Sequence, residues 1–443
     1  MNKTTLWAFL LVSTSLVTSA AFAQDAAPAA DAAPAAPAAD PSAIKFGALI
    51  ETGATINSNS PSTGVNFGHL LTDKANQVVL NQAVLTLNRD LDPKAEGFDW
   101  GFKLQGFYGS DARYTHFVGM LDHLTSDRNQ FDLVEANGLA HLPVLTDGGI
   151  DVKAGAYSTP IGYEVIQSNT NPLYSHSYIF NFGIPLKHTG VVTTTHVNDW
   201  LDIWLGVDSG LSTTLGQRGT VNGHAVDGLA GFGLNNLLDG KLTVLALSHF
   251  GPAQAELRKD QPNGVIQASH EGRYIGDAVI TYKATDTLTF VTELDYIRDD
   301  IGWGTGHGAT GGGGAQYIQY ALNDVLTLVA RGEIFSDSKG YFVTGFPGNN
   351  DYMYATRGLP AQTLTPTTTL AQHGAIYNSV TLGVNVKLPG LPERFDGTMI
   401  RPEIRYDTTT DGTKAFNYGS KGVARDDYQF TFGADLVIPV SIF

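Results

Sequence analysis

The chain contains no cysteine among its 443 residues. Disulfides, thiolate chemistry and zinc–thiolate sites are thereby excluded, and backbone pairing and packing must hold the fold alone. Past the first two dozen residues no apolar run approaches the roughly eighteen residues of a membrane-crossing helix. Positive charge is scarce: 27 Lys and Arg stand against 43 Asp and Glu, for a formal net charge of −16. That balance argues against nucleic acid as a partner and against anionic lipid. No Gly-x-Ser-x-Gly elbow occurs. No Gly-Lys-Ser/Thr follows the glycine-rich stretches Gly302–Gly308 and Gly311–Gly314, which are expected to form a flexible outer loop rather than a phosphate cradle. His116 and His123 with Asp111 or Asp122, and Asn349-Asn350-Asp351, come nearest to metal-ligand groups, but lone loop residues of these types are usually solvated. No enzyme, cofactor or metal centre is expected.

What is present begins with an export signal. Lys3 supplies the charged start, Leu6 to Val17 the apolar middle and Ala21-Phe22-Ala23 a small-residue cleavage site, so residues 1–23 read as a signal peptide. Residues 24–43 are an Ala/Pro repeat with Asp25, Asp31 and Asp40, expected to be an unfolded periplasmic spacer. With only this tail ahead of residue 44, no plug domain is expected, which argues against an energy-coupled receptor.

Residues 44–443 show period-two alternation. Phe98, Trp100, Phe102, Leu104 and Tyr108 fall on one face, and Asp99, Lys103 and Gln105 on the other. Leu288, Phe290, Leu294 and Tyr296 oppose Thr289, Glu293 and Asp295 in the same way. The connectors alternate too. Tight joints such as Asp92–Gly97, Pro143–Gly149 and Asn323–Asp324 separate long ones such as Gly109–Asn129, Thr159–His188, Asp300–Gly313 and Asp337–His373. Short turns at one rim and long loops at the other are the signature of an outer-membrane barrel. The expected fold is all-β: a transmembrane antiparallel up-and-down barrel of about sixteen strands, with fourteen or eighteen as the neighbouring even counts. Val226–Asn236 and Gly314–Leu322 are its weakest strands. Aromatics near strand ends, among them Phe98, Tyr108, Tyr274, Tyr282 and Tyr296, suit interface girdles. Pro439 interrupts the phase of the last strand, which predicts a bulge there.

Thr159-Pro160-Ile161-Gly162-Tyr163-Glu164, Asn171, Tyr174-Ser175, Phe182-Gly183-Ile184-Pro185 and His188-Thr189-Gly190 resemble the OmpL-like β-barrel porin family. Leu87–Arg89 and Trp100–Phe102 are similar to its first half. The resemblance covers Ile44 to Phe443 and implies an outer-membrane barrel that passes small solutes. It carries over no functional residue.

On the wet face, Asp99, Lys103, Arg273, Asp277, Glu293, Asp295, Arg331, Glu333, Arg401, Glu403 and Arg405 are expected to line a water-filled pore. Arg331 with Glu333 and Arg401 with Glu403 are expected to pair laterally. The acid excess suggests mild cation preference. Loop Thr159–His188 holds Tyr163, Glu164, Tyr174 and Tyr178, more aromatic surface than an outer loop needs, and is expected to fold inward as a constriction. The function so read is passive diffusion of small hydrophilic solutes across the outer membrane of a Gram-negative bacterium. Outer-membrane lipid and the solutes are the partners, and a homotrimer is left open. Two rival functions are surface binding through Asp337–His373 and a lipid-acting enzyme.

Overall fold

Alternating strands bury polar side chains on one face and present apolar ones on the other, and closure into a cylinder leaves no unpaired edge. In the computed structural model sixteen antiparallel strands pair in sequence order and close into one barrel. Residues 43–93, 95–117, 128–210, 226–252, 272–300, 308–343, 374–420 and 425–442 are described. The strands are β1 (Lys45–Asn57), β2 (Gln77–Arg89), β3 (Asp99–Gly109), β4 (Gln130–Leu142), β5 (Ile150–Ser158), β6 (Lys187–Asn198), β7 (Leu201–Asp208) and β8 (Asp227–Asn236). They continue with β9 (Leu242–Gly251), β10 (Arg273–Lys283), β11 (Leu288–Asp299), β12 (Ala309–Ala321), β13 (Leu326–Asp337), β14 (Ala375–Lys387), β15 (Met399–Thr409) and β16 (Tyr428–Ser441). β1 closes on β16 from Gly47↔Ser441 to Asn57↔Thr431.

The outward face is apolar and exposed. Trp100 is 51% exposed, and Leu85, Leu205, Leu382 and Phe432 project alongside it. A soluble sheet would hide these side chains; here they face hydrocarbon. Aromatic pairs mark both edges of the belt. Tyr274–Tyr296 and Tyr406–Tyr428 lie toward the long loops, and Trp100–Phe102 and Tyr282–Phe290 toward the short turns.

Two local expectations are corrected. The stretch Gly311–Gly314, read as loop, lies inside β12, which starts at Ala309. Glycine carries no apolar marker, so the alternation is silent there, yet the site needs glycine. A Cβ on Gly313 would sit 1.8 Å from the Ile334 carbonyl oxygen, and one on Gly312 2.3 Å from that of Asp295. The predicted bulge at Pro439 does not form: β16 pairs with β1 without a register shift. Ile442 donates its N–H to the Phe46 carbonyl. Ladder alternation then makes Leu49↔Pro439 a non-hydrogen-bonded pair. On the other side, pairing with β15 ends at Met399↔Val437. The missing proline N–H therefore falls where no partner stands. The bulges lie instead at Glu51/Thr52, Gln105/Gly106 and His196/Asn198.

Gly313→Ala should destabilise the barrel by about 1–3 kcal/mol through overpacking. The readout is a lower temperature for loss of compact migration in semi-native electrophoresis. Gly332→Ala, whose Cβ would meet nothing within 4 Å, should leave that temperature unchanged.

Candidate functional site

The connection from β5 to β6 does not run over the rim. Its base is closed by the Thr159 N–H donating to the Leu186 carbonyl at 3.0 Å. On one side Gln82 of β2 donates to the Ile166 carbonyl at 2.7 Å, and Gln105 of β3 bonds Gln167 at 2.8 Å. On the other it reaches β11, β13 and β15, half a barrel away from its own strands. Only a path through the interior touches all of these.

Opposite-charged side chains clamp the loop by its backbone. Arg331 of β13 donates to the Ser175 carbonyl at 2.6 Å. Arg401 of β15 donates to the carbonyls of Ser168 and Asn171 at 2.8 and 2.7 Å. Arg405 donates to that of His176 at 2.6 Å. Carboxylates take the N–H groups in between. Glu403 accepts from Tyr174 and Ser175 at 3.0 and 3.1 Å, Glu333 from Tyr178 at 2.6 Å, and Glu293 from Tyr163 at 2.9 Å. Glu164, on the loop itself, accepts from Ser177 at 2.8 Å and receives Arg331 Nη1 at 2.8 Å.

Burying an ion costs several kcal/mol unless its bonding capacity is filled. Arg331 fills it: Nε meets Glu333 at 3.0 Å, and the remaining donors meet Glu164, Ser175 and Thr381. Arg401 does the same through Asp435, Glu51 and the loop carbonyls. Arg405 pairs with Asp407 at 2.8 Å and lies 5.3 Å from the Tyr178 ring.

The predicted Arg331–Glu333 pair is therefore present. The predicted Arg401–Glu403 pair is not: Arg401 turns to Asp435 across the β15–β16 register, and Glu403 is used by loop amides. Arg331, Glu333, Arg401, Glu403 and Arg405 face inward but are buried beneath the loop, out of contact with lumen water. Asp99 is more open and pairs with Arg89 at 2.9 Å. Arg273 bonds Asp299 at 2.8 Å. Asp277 and Asp295 lie opposite each other in the β10–β11 register, with buried oxygens that lack hydrogen-bond partners. Lys103 is half-buried and makes no ion pair among the described residues. With Gln105, Glu135, Ser158, Val165, Ile166 and Gln167 it lines a small cleft beside the loop.

The expectation of a fully wet interior is also corrected. Inward-facing Trp204, Leu229, Leu247, Ile275, Val279 and Val291 join loop residues Ile161, Ile179, Phe182 and Ile184 in one buried apolar cluster. The loop is thus held by ions toward β13 and β15 and by apolar packing toward β7–β11. Single-strand alternation does not reveal this, because an inward valine reads as a break in pattern.

Sequence reading found the first two long loops but missed their inward contacts. His69 bonds Asp407 at 2.9 Å from the β1–β2 loop. Arg113 pairs with Asp73 at 2.6 Å, joining that loop to the β3–β4 loop. Burial would raise the Asp73 carboxyl, but Arg113 and Lys74 hold it well below the usual range. Asp111, bonded by Asn81 and Gln82, is pushed up to about 6 by burial. These contacts link residues from 29 to 338 positions apart and leave no local trace. His116 is buried, whereas Asp122, His123 and Asn349–Asp351 lie outside the described residues.

A family model described as "Putative beta-barrel porin-2, OmpL-like" matches residues 43–440. No curated protein matches the chain. Among solved structures the chain is similar to an anion-selective porin from Comamonas acidovorans, with 11% identity over 90% of this chain and 99% of that one and a TM-score of 0.52. It is also similar to OmpT, an outer membrane protein of Vibrio cholerae. That protein folded in vitro gives 12% identity over 90% and 98% of the two chains and a TM-score of 0.50. Its trimer form gives 12%, 90% and 99%, again at 0.50. At such identities the likeness is one of fold.

Arg401→Met strands Glu51 and Asp435 as buried unpaired acids. It should cost about 3–5 kcal/mol and expose the loop to protease between residues 159 and 186, while wild type resists. His176, bonded to Asn171 at 3.0 Å, supplies a pH test. Burial, with Arg331 and Arg401 nearby, pushes its imidazole from 6.5 down to about 3. Between those values the unfolded chain takes up a proton that the folded chain refuses, so stability falls as pH drops through that window. His176→Gln should lose less thermal stability than wild type between about pH 7 and about pH 4; equal losses would contradict this.

Proposed function

We propose that this chain, which belongs to the OmpL-like β-barrel porin family, is a narrowed diffusion channel for small hydrophilic solutes. The barrel stands in the outer membrane of a Gram-negative bacterium. One observation carries the proposal. The loop from Thr159 to Leu186 crosses the interior and is clamped from opposite sides, beside a small cleft lined by Lys103, Gln105, Glu135, Ser158 and Gln167. A wide barrel so filled passes solutes by size, and Tyr163, Glu164, Tyr174 and Tyr178 act as the constriction's framework.

In this reading Arg331, Arg401 and Arg405 serve to position the loop. Ion preference comes from the acidic balance of the whole chain, whose field favours cations mildly and is opposed locally by Lys103. The anion selectivity of the Comamonas porin belongs to that protein. A homotrimer enters only by analogy with the trimer form of the Vibrio protein.

Catalysis is not part of the proposal. His69 lies between Thr72 and Asp407, and His188 between Thr159 and Asp208, the order of a nucleophile–histidine–acid relay. All of these side chains are buried, out of reach of lipid or peptide.

Purified protein in a planar bilayer should give discrete conductance steps with a reversal potential on the cation side. Lys103→Glu should move that potential further in the same direction. Absence of conductance would reject the channel; clear anion selectivity would reject the charge argument.

A further inference from the structure

At the long-loop end of the wall, three inward side chains converge that the channel reading does not use. His188 stands at the start of β6, Asp208 at the end of β7 and His249 near the end of β9. β8 lies between the last two, but inward-facing side chains on a curved wall meet across it. His188 Nδ1 lies 3.0 Å from Asp208 Oδ2. His249 Nε2 lies 3.0 and 3.2 Å from the two Asp208 oxygens. The three ligating atoms all fall within 4.8 Å of one another. Each side chain is at most 1% exposed.

The orientation of His188 points to a ligand. Its Nε2 is held by Thr159 Oγ1 at 2.9 Å. Its Nδ1 stands 3.0 Å from Asp208 Oδ2, within ion-pair distance but out of hydrogen-bond alignment. In the tautomer that donates Nε2–H to Thr159, a bare nitrogen lone pair confronts a buried carboxylate. Two acceptors so placed repel, and a shared cation removes the repulsion. The Tyr157 hydroxyl, also buried without a hydrogen-bond partner, belongs to a ring 5.5 Å from that of His188.

Two imidazoles and one carboxylate are ligands for zinc and its first-row neighbours, whereas calcium and magnesium prefer oxygen throughout. Zinc bonds of about 2.0–2.2 Å in a tetrahedron separate neighbouring donors by roughly 3.3 Å. The nitrogen–oxygen separations here are close to that. We propose that His188, Asp208 and His249 bind one divalent transition ion of the zinc class, stapling β6, β7 and β9 at the foot of the inward loop. Thr159 opens that loop and His188 follows it, so the ion fixes both of its ends. The role is structural and does not depend on whether the barrel conducts.

The test uses full-length protein refolded in detergent, stripped with chelator, supplied with Zn²⁺ and desalted. Wild type should retain one Zn²⁺ per chain, and its thermal transition should rise with added Zn²⁺. Asp208→Asn and His249→Gln should lose both effects, while His116→Gln, a buried histidine elsewhere, keeps them. X-ray absorption of the zinc-loaded wild type should show imidazole scattering from two histidines, a readout that needs no variant to fold. No retained zinc, retention undiminished in both variants, or an all-oxygen shell would each overturn the proposal.

Discussion

The structure depends on how a long loop can be buried inside a barrel without leaving backbone polar groups unpaired. A loop in the interior exposes carbonyls and amides that secondary structure would otherwise satisfy, and each orphan costs about 1–3 kcal/mol. Here the wall supplies charges of the matching sense. Arg331, Arg401 and Arg405 take carbonyl oxygens, and Glu293, Glu333 and Glu403 take N–H groups. The arginines need the loop as much as the loop needs them, since guanidinium groups buried without acceptors would be untenable. Wall and loop are therefore mutually required, which explains why so many ionisable side chains lie fully buried in a barrel whose interior reads as wet.

The division of labour inside follows from the same constraint. Toward β7–β11 the loop turns Ile161, Phe182 and Ile184 onto inward Trp204, Leu229 and Val291. There apolar packing carries the contact, alongside the Glu293 carboxylate that accepts the Tyr163 N–H. Toward β13 and β15 the backbone is exposed, and ions are needed. On the β3–β5 side, Lys103, Gln105 and Glu135 line a small cleft beside the loop.

The barrel was largely legible in the sequence, because alternation and connector length are local properties. β4 and β5 begin and end where their patterns do. β12 was misread at its start because four consecutive glycines carry no polarity signal, although backbone proximity at Gly313 demands them. Aromatic excess pointed to the inward loop, and the inward phase of Arg331 and Arg401 was readable. Their partners were not: Glu51 lies 350 positions from Arg401, and Asp435 meets it only through strand register. His188, Asp208 and His249 were equally invisible, since they share neither a strand nor a spacing.

The central claim is that a clamped loop narrows the barrel, and unitary conductance tests it most directly. Wild type should be compared with an Arg331→Ala/Arg401→Ala double variant, each refolded and shown by electrophoresis to be a closed barrel. Release of the loop predicts larger and noisier conductance steps in the double variant. Steps of unchanged size, from a variant whose loop has become protease-sensitive, would contradict the claim.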